Sequence, residues 1–241
     1  MKEIKITDSY LRNNNLIYMQ TALGDITSQI NAKVDVKTSK NRCEYKVEIP
    51  DGYVDLFYLE AIDKMADIIA VNYKYCYFKK NIKISGLSTL NKELLLASLI
   101  AADIDEDKKY IIKKLKGYEE HSLDGIFNFR MKPLKEKWKE IAGYIPSGFT
   151  KNQLIDFILY LIKDKTNKMV YVESGCVYDK RFNKLSRVQL LTNDSGELPI
   201  LKEILISGAG VVELCNKISP NEEEYIKNFY GDKVLFADSY V

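Results

Sequence analysis

Asp103, Asp105 and Asp107 occupy alternate positions, the spacing at which the first carboxylates of a calcium-binding loop reach one ion. Such a loop also needs a glycine at its sixth position and a bidentate acid at its twelfth, and both are lysine here, Lys108 and Lys114. The expectation is therefore a solvated acidic junction between helices, with no metal. Ser207-Gly208-Ala209-Gly210 could cradle a phosphate on backbone amides. A dinucleotide fingerprint, however, places a third glycine where Glu213 stands and opens a helix, whereas the residues after Gly210 read as a strand. A helix C-cap followed by a turn accounts for both glycines. Cys43, Cys76, Cys176 and Cys215 lie far apart, form no C-x-x-C pair and have only His121 as a companion imidazole. Zinc usually takes its ligands as close pairs, so the expectation is four reduced, mostly buried thiols and no cofactor.

His121 is the side chain whose ordinary pKa suits proton transfer near neutrality. Flanked by Glu119, Glu120 and Ser122, it is expected on an exposed connector. No G-x-S-x-G turn marks a hydrolase nucleophile, and acid and base carboxylate pairs made by the fold leave no fixed spacing to find. No catalytic residue is assigned. A non-enzymatic role is favoured, and an enzyme with an unrecognised site is kept as an alternative. Tyr73, Tyr75 and Tyr77 with Phe78 could stack nucleobases, but without a positive groove they read better as core edge or interface.

Two basic segments, 108–116 and 130–139, could meet phosphates, each lysine so used releasing counterions. Acidic residues, among them Asp107, Glu119, Glu136 and Glu140, are interleaved with them, as on ordinary solvated helix faces. The formal net charge of +2 also supplies no global field. Nucleic-acid binding is therefore the runner-up reading, behind contact with a protein partner.

These residues must be positioned by a chain of 241 residues, 46% hydrophobic and 29% charged, a balance that supports a folded core and excludes disorder. The best apolar run, Leu154 to Ile162, contains Asp156 and falls short of the ~18 residues of a spanning helix, so no membrane insertion is expected. The start MKEIKITDSY has no apolar core of a secretory signal, which predicts a cytoplasmic protein. Residues 2–7 alternate like a strand, and Leu16, Met19, Leu23, Ile26 and Ile30 keep helical spacing. Val34 and Val36, then Cys43, Tyr45, Val47 and Ile49, alternate with charged residues, which predicts a half-buried β-hairpin. Helical spacing resumes from Val54 to Phe78. Thr150 with Gln153 forms a capping-box pattern, and Phe149 with Leu154 a hydrophobic staple. Ser219-Pro220-Asn221-Glu222 reads as a cap, a first-turn proline and a capping-box glutamate.

Residues 122–163 read as amphipathic helices joined by a loop. Ile126, Phe127, Leu134, Trp138, Ile141 and Ile145 form one stripe, and Lys132, Lys135, Lys139 and Glu140 lie largely opposite. Pro133 either starts a second helix or kinks a continuous one. The segment Ser122-Leu123-Asp124-Gly125-Ile126-Phe127-Asn128-Phe129-Arg130-Met131-Lys132, with Asp156-Phe157-Ile158 further on, resembles the central motif of the YtxC-like family of sporulation proteins of endospore-forming bacteria. The order of elements that follows also fits: a strand over 168–173, an apolar helix over 198–206, a strand over 211–216, a helix, and a strand over 233–237. The resemblance implies a cytoplasmic protein associated with spore formation and names no reaction. Asp124, Arg130, Lys132 and Lys135 become the candidate contacts to a partner or an anion, with a structural role for Asp124 and Arg130 as the competing reading.

The expected fold is α+β: an N-terminal β-hairpin with helices over 1–86, a helical centre over 87–166, and a small C-terminal α/β unit over 167–241. The last should contain a strand-helix-strand crossover. No Gly/Ser- or Pro-rich linker separates these regions, so they are expected to pack as one body.

Overall fold

The computed structural model describes residues 1–116, 120–163, 165, 167–192, 194–215 and 218–237. In chain order its elements are β1 (Lys2–Ser9), α1 (Asn13–Ala22), α2 (Gly24–Gln29), β2 (Lys33–Thr38), β3 (Arg42–Ile49), α3 (Val54–Asp67), a π-helical segment (Ile68–Tyr73) and α4 (Lys74–Asn81). Then come α5 (Thr89–Ala102), α6 (Ile104–Leu115), β4 (Glu120–Ser122), α7 (Leu123–Arg130), α8 (Lys132–Tyr144) and α9 (Lys151–Ile162). The remainder is β5 (Met169–Glu173), β6 (Cys176–Tyr178), β7 (Lys184–Leu185), α10 (Pro199–Ser207), β8 (Val211–Leu214), α11 (Pro220–Tyr230) and β9 (Val234–Phe236). The fold class is α+β, as the periodicities predict. The chain divides into two compact units, each built from two stretches: Met1–Lys74 with Asp105–Ile141, and Tyr75–Ile104 with Ala142–Val241. This division cuts across the three consecutive regions expected from the sequence.

The first unit is organised on a four-stranded sheet of order β2-β3-β1-β4. β3 pairs antiparallel with both β1 and β2, and β4 lies parallel to β1. Alternation decides the faces. Ile4 and Ile6 of β1 and Cys43, Tyr45, Val47 and Ile49 of β3 are buried under α1, which carries Leu16 and Met19. The opposite face is laced by Lys5–Glu44 at 2.9 Å and Lys46–Glu3 at 2.7 Å. The hairpin forms where expected, but only one of its strands is half-buried. Every residue of β2, including Val34 and Val36, is exposed. α1 packs on β3 and β1, and α7 on β1, so the helical cover is centred away from β2. The long helical run 54–81 is present, with the π segment inserted and all six of its residues buried.

The second unit holds a five-stranded sheet of order β7-β6-β5-β8-β9. β5, β6 and β7 are antiparallel neighbours, while β5, β8 and β9 are parallel, with α11 as the crossover between β8 and β9. α10 and α9 both pack on α5. The capping box at Thr150 is complete, its hydroxyl accepting from Gln153 N and the Gln153 side chain accepting from Thr150 N. Gly208 ends α10 at φ +66°, the left-handed cap that the glycine-rich run predicts. Gly210 is required for a different reason: a Cβ there would collide with the carbonyl of Lys165.

The cap at Ser219 also forms, accepting from Glu222 N at 3.2 Å. The glutamate, however, does not return to its own helix. Its carboxylate accepts from Ile200 N and Leu201 N, both at 3.0 Å, and so caps α10, whose N-cap residue Leu198 has no oxygen to offer. Asn216, the last residue of the expected strand after Gly210, lies outside the described residues.

Candidate functional site

The motif that carries the family resemblance lies in the first unit, where β4 runs into α7. Ser122 Oγ donates to Asp124 Oδ1 at 2.8 Å, tying the start of the helix. Leu123, Ile126 and Phe127 point inward, and the Phe127 ring sits 4.7 Å from that of Tyr73 and 5.6 Å from that of Trp138. α7 stops at Arg130, Met131 is buried, and α8 begins at Lys132 with Pro133 in its first turn. Of the two roles open to this proline, it therefore takes the helix start.

The four candidate contact residues separate into two pairs. Asp124 is held by Ser122. Lys135 donates to the carbonyl of Asn128 at 2.9 Å and lies 5.4 Å from the Phe127 ring centroid, closing the C-terminal end of α7. Lys132 is exposed, with Glu136 at 3.8 Å. Arg130 is exposed and shares the rim of a pocket of about 390 Å³ with Glu120, Ser122, Gly125, Ile126 and Phe129. Phe129 is the residue that sequence reasoning missed: it is 87% exposed although the motif around it is apolar. The signal in the helical period was faint, because Phe129 stands three residues from Ile126 and leaves the buried stripe only when Leu123 and Phe127 are counted with it.

Behind the motif, charged groups are buried in hydrogen-bonded sets. Asp107 is 1% exposed, against the solvated junction expected of it. Its carboxylate accepts from Lys74 Nζ at 2.8 Å, Lys137 Nζ at 2.8 Å and Trp138 Nε1 at 2.9 Å. Burial pushes its carboxyl up, and the two ammoniums and the indole outweigh this to hold it below the usual carboxylate range. Lys108 bridges Asp63 at 2.9 Å and Asp67 at 2.8 Å. Lys108 and Lys137, one lysine from each basic segment, are thus engaged by carboxylates. Asp8, wholly buried, accepts from Asn15 Nδ2, Tyr73 Oη and Ser9 N, each at 2.7 Å, while burial raises its pKa.

His121 is also buried, not exposed. It stands on β4 opposite Ile6, in parallel pairing, with the Tyr58 ring 6.0 Å away. Burial lowers its pKa to about 4, so it is neutral at physiological pH. Glu119, part of its expected acidic flank, lies outside the described residues.

The second unit brings together a set that no spacing in the sequence announces. Lys202 Nζ, fully buried, donates to Glu93 Oε2 at 2.7 Å and to both oxygens of Asp194, at 2.8 and 2.7 Å. Ser195 donates to Glu93 through its amide at 2.9 Å and its hydroxyl at 2.6 Å. Burial raises both carboxyls. For Glu93 the hydrogen bonds from Asp194, Lys202 and Ser195 reverse the shift, whereas Asp194, which gives its hydrogen bond to Glu93, stays raised. Lys202 is held between two carboxylates, and Ser195 already donates its hydroxyl proton to Glu93. A glutamate so strongly stabilised as an anion is a poor base. The set therefore ties the 194–195 segment to α5 and α10 and does not form a serine nucleophile. One signal was available in the sequence: Lys202-Glu203 interrupts an otherwise apolar helix, and buried charges there need partners.

All four cysteines are free, Cys43 and Cys215 buried and Cys76 and Cys176 partly so. Among the described residues no group of three or more His, Cys, Asp or Glu side chains could hold a metal ion, and no helix is long and apolar enough to cross a membrane. Compared with models of protein families, with curated proteins and with solved structures, the chain has no match.

Proposed function

We propose that this protein works by contact with a partner protein, in the cytoplasm of an endospore-forming bacterium and in the service of spore formation. The setting rests on the resemblance of Ser122–Lys132 to the YtxC-like motif. The mode of action rests on one observation: Phe129 is held in water beside Arg130, while Leu123, Ile126, Phe127 and Met131 of the same motif are buried. An exposed aromatic next to an arginine, with a depression at its side, has the composition of an interface anchor, where a few such residues carry most of the binding energy. Arg130 and Lys132 make this end of the motif cationic, so the partner is expected to present an acidic residue close to an apolar one.

The test replaces Phe129→Ser and Arg130→Glu singly, and reads capture of partners from sporulating cells together with thermal melting. Both variants should melt like the parent and lose the captured partner. Deletion of the gene should leave vegetative growth near normal and reduce spore yield. An Arg130→Glu chain that no longer folds would make Arg130 a structural ion-pair residue, and normal sporulation of the deletion strain would remove the setting.

A further inference from the structure

The second unit contains a pocket of about 540 Å³ that the partner-contact reading does not use. Its walls come from the end of α4 and the segment after it, from the first half of α5, and from Ser147 ahead of α9. Backbone pairing fixes these walls. Ser85 N and Ser85 Oγ donate to the Ser147 carbonyl at 2.8 and 3.0 Å, and Phe149 N donates to the Ser85 carbonyl at 3.1 Å. Between them Gly86, at φ +86°, lies so close to the Phe149 carbonyl that a Cβ would sit 2.7 Å from the oxygen. Only glycine allows the two segments to meet in this way.

The lining has a definite chemical character. Ile82, Ile84 and Leu96 give it an apolar side. Lys79, Lys83 and Lys92 give it three ammoniums, against the single carboxylate of Glu93, which already accepts from Lys202 and Ser195. Tyr75 lines the same pocket. Its side chain is fully buried, and its hydroxyl has no hydrogen-bond partner among the described residues. A size of several hundred Å³, apolar walls and a few convergent polar groups are the general attributes of a small-molecule site.

From these observations we infer that the pocket binds a small, soluble amphipathic anion, a phosphate monoester or carboxylate bearing a short apolar group. The anionic head lies among Lys79, Lys83 and Lys92, and the apolar group lies against Ile82, Ile84 and Leu96. The inference is independent of the partner-contact reading, whose residues belong to the first unit.

Calorimetric titration of the full chain tests it, with hexyl phosphate as the probe and inorganic phosphate and hexanol as its separated halves. Hexyl phosphate should bind one to one, at least tenfold more tightly than either half. The double variant Lys83→Glu/Lys92→Glu alters only rim side chains, so it should melt like the parent and bind hexyl phosphate at least tenfold more weakly. Absence of binding, or binding that ignores the two charge reversals, would overturn the inference. Binding only to vesicles carrying an anionic lipid, with no response to hexyl phosphate, would overturn it in favour of a membrane surface.

Discussion

Asp107 Oδ2 accepts the indole N–H of Trp138 at 2.9 Å, and both residues are buried, at 1% and 0% exposure. The largest side chain of the amphipathic helix α8 is thus anchored at its polar atom to α6, with Lys74 on the same carboxylate oxygen. Burial alone would leave the indole N–H without an acceptor, and the carboxylate supplies one.

Removing that carboxylate should be costly. Asp107→Leu takes the Asp107 counter-charge away from the buried Lys74 ammonium and the acceptor away from Trp138, and should destabilise the chain by about 3–5 kcal/mol. Lys74→Met combined with Asp107→Leu should recover part of the loss. Urea unfolding of Asp107→Leu, Lys74→Met and the double variant measures both effects. The folded pKa of Asp107 lies below its unfolded value, so its stabilisation is present above the ordinary carboxylate range and disappears as pH falls through the folded value. Losses from the two single variants that simply add in the double variant would show that the Lys74–Asp107 pair is not coupled.

The chain has one histidine, so its imidazole can be followed alone by proton NMR. The titration midpoint of His121 should fall near 4 and not near 6.5. Above about 6.5 the ring is neutral folded or unfolded, and it contributes no pH dependence. Between 6.5 and 4 only the unfolded chain takes the proton, so stability should fall with acidification at a slope of about 1.4 kcal/mol per pH unit from this residue. His121→Gln should lose that component in denaturation series across the window. A midpoint near the ordinary value would place the ring in water and contradict its position on β4.

Glu222 caps a helix far from it in sequence, so its replacement should loosen α10 more than its own helix α11. Glu222→Ala leaves the amides of Ile200 and Leu201 without their acceptor and should lower stability by about 2 kcal/mol. Glu222→Gln, which retains one carbonyl oxygen, should lose less. Amide exchange would locate the effect, with protection falling first at Ile200 and Leu201. Protection lost only within 220–230 would make Glu222 an ordinary capping-box residue.

The four thiols should react in two classes. Burial raises the pKa of Cys43 and of Cys215, whereas Cys76 and Cys176 are partly exposed. An aromatic disulfide reagent should therefore titrate two thiols quickly in the native chain and all four in denaturant. Serine at any single position should leave partner capture intact wherever the variant folds. Fewer than four thiols in denaturant without reductant would indicate a disulfide.

What the sequence determined by itself is what is local or periodic. A two-residue period exposes one face of β3 and buries the other, a 3.6-residue period places Trp138 inside, and caps such as Thr150 with Gln153 act within one helical turn. A glycine after the apolar helix 198–206 sets its left-handed end for the same local reason. Tertiary structure decided what depends on partners distant in the chain. Lys74 meets Asp107 across 33 residues and Lys202 meets Glu93 across 109, so no spacing records either pair. The same holds for Glu222, whose capping-box position is correct and whose carboxylate nevertheless serves α10. It holds for His121, whose charged neighbours suggested water although pairing beside β1 buries it. It holds for β2, whose alternation promised a buried face that the helices packed on β3 and β1 do not cover. Local pattern specifies which surface an element can bury. Whether that surface is covered depends on which element arrives beside it, and that is fixed only when the whole chain minimises its exposed apolar area and its uncompensated charges together.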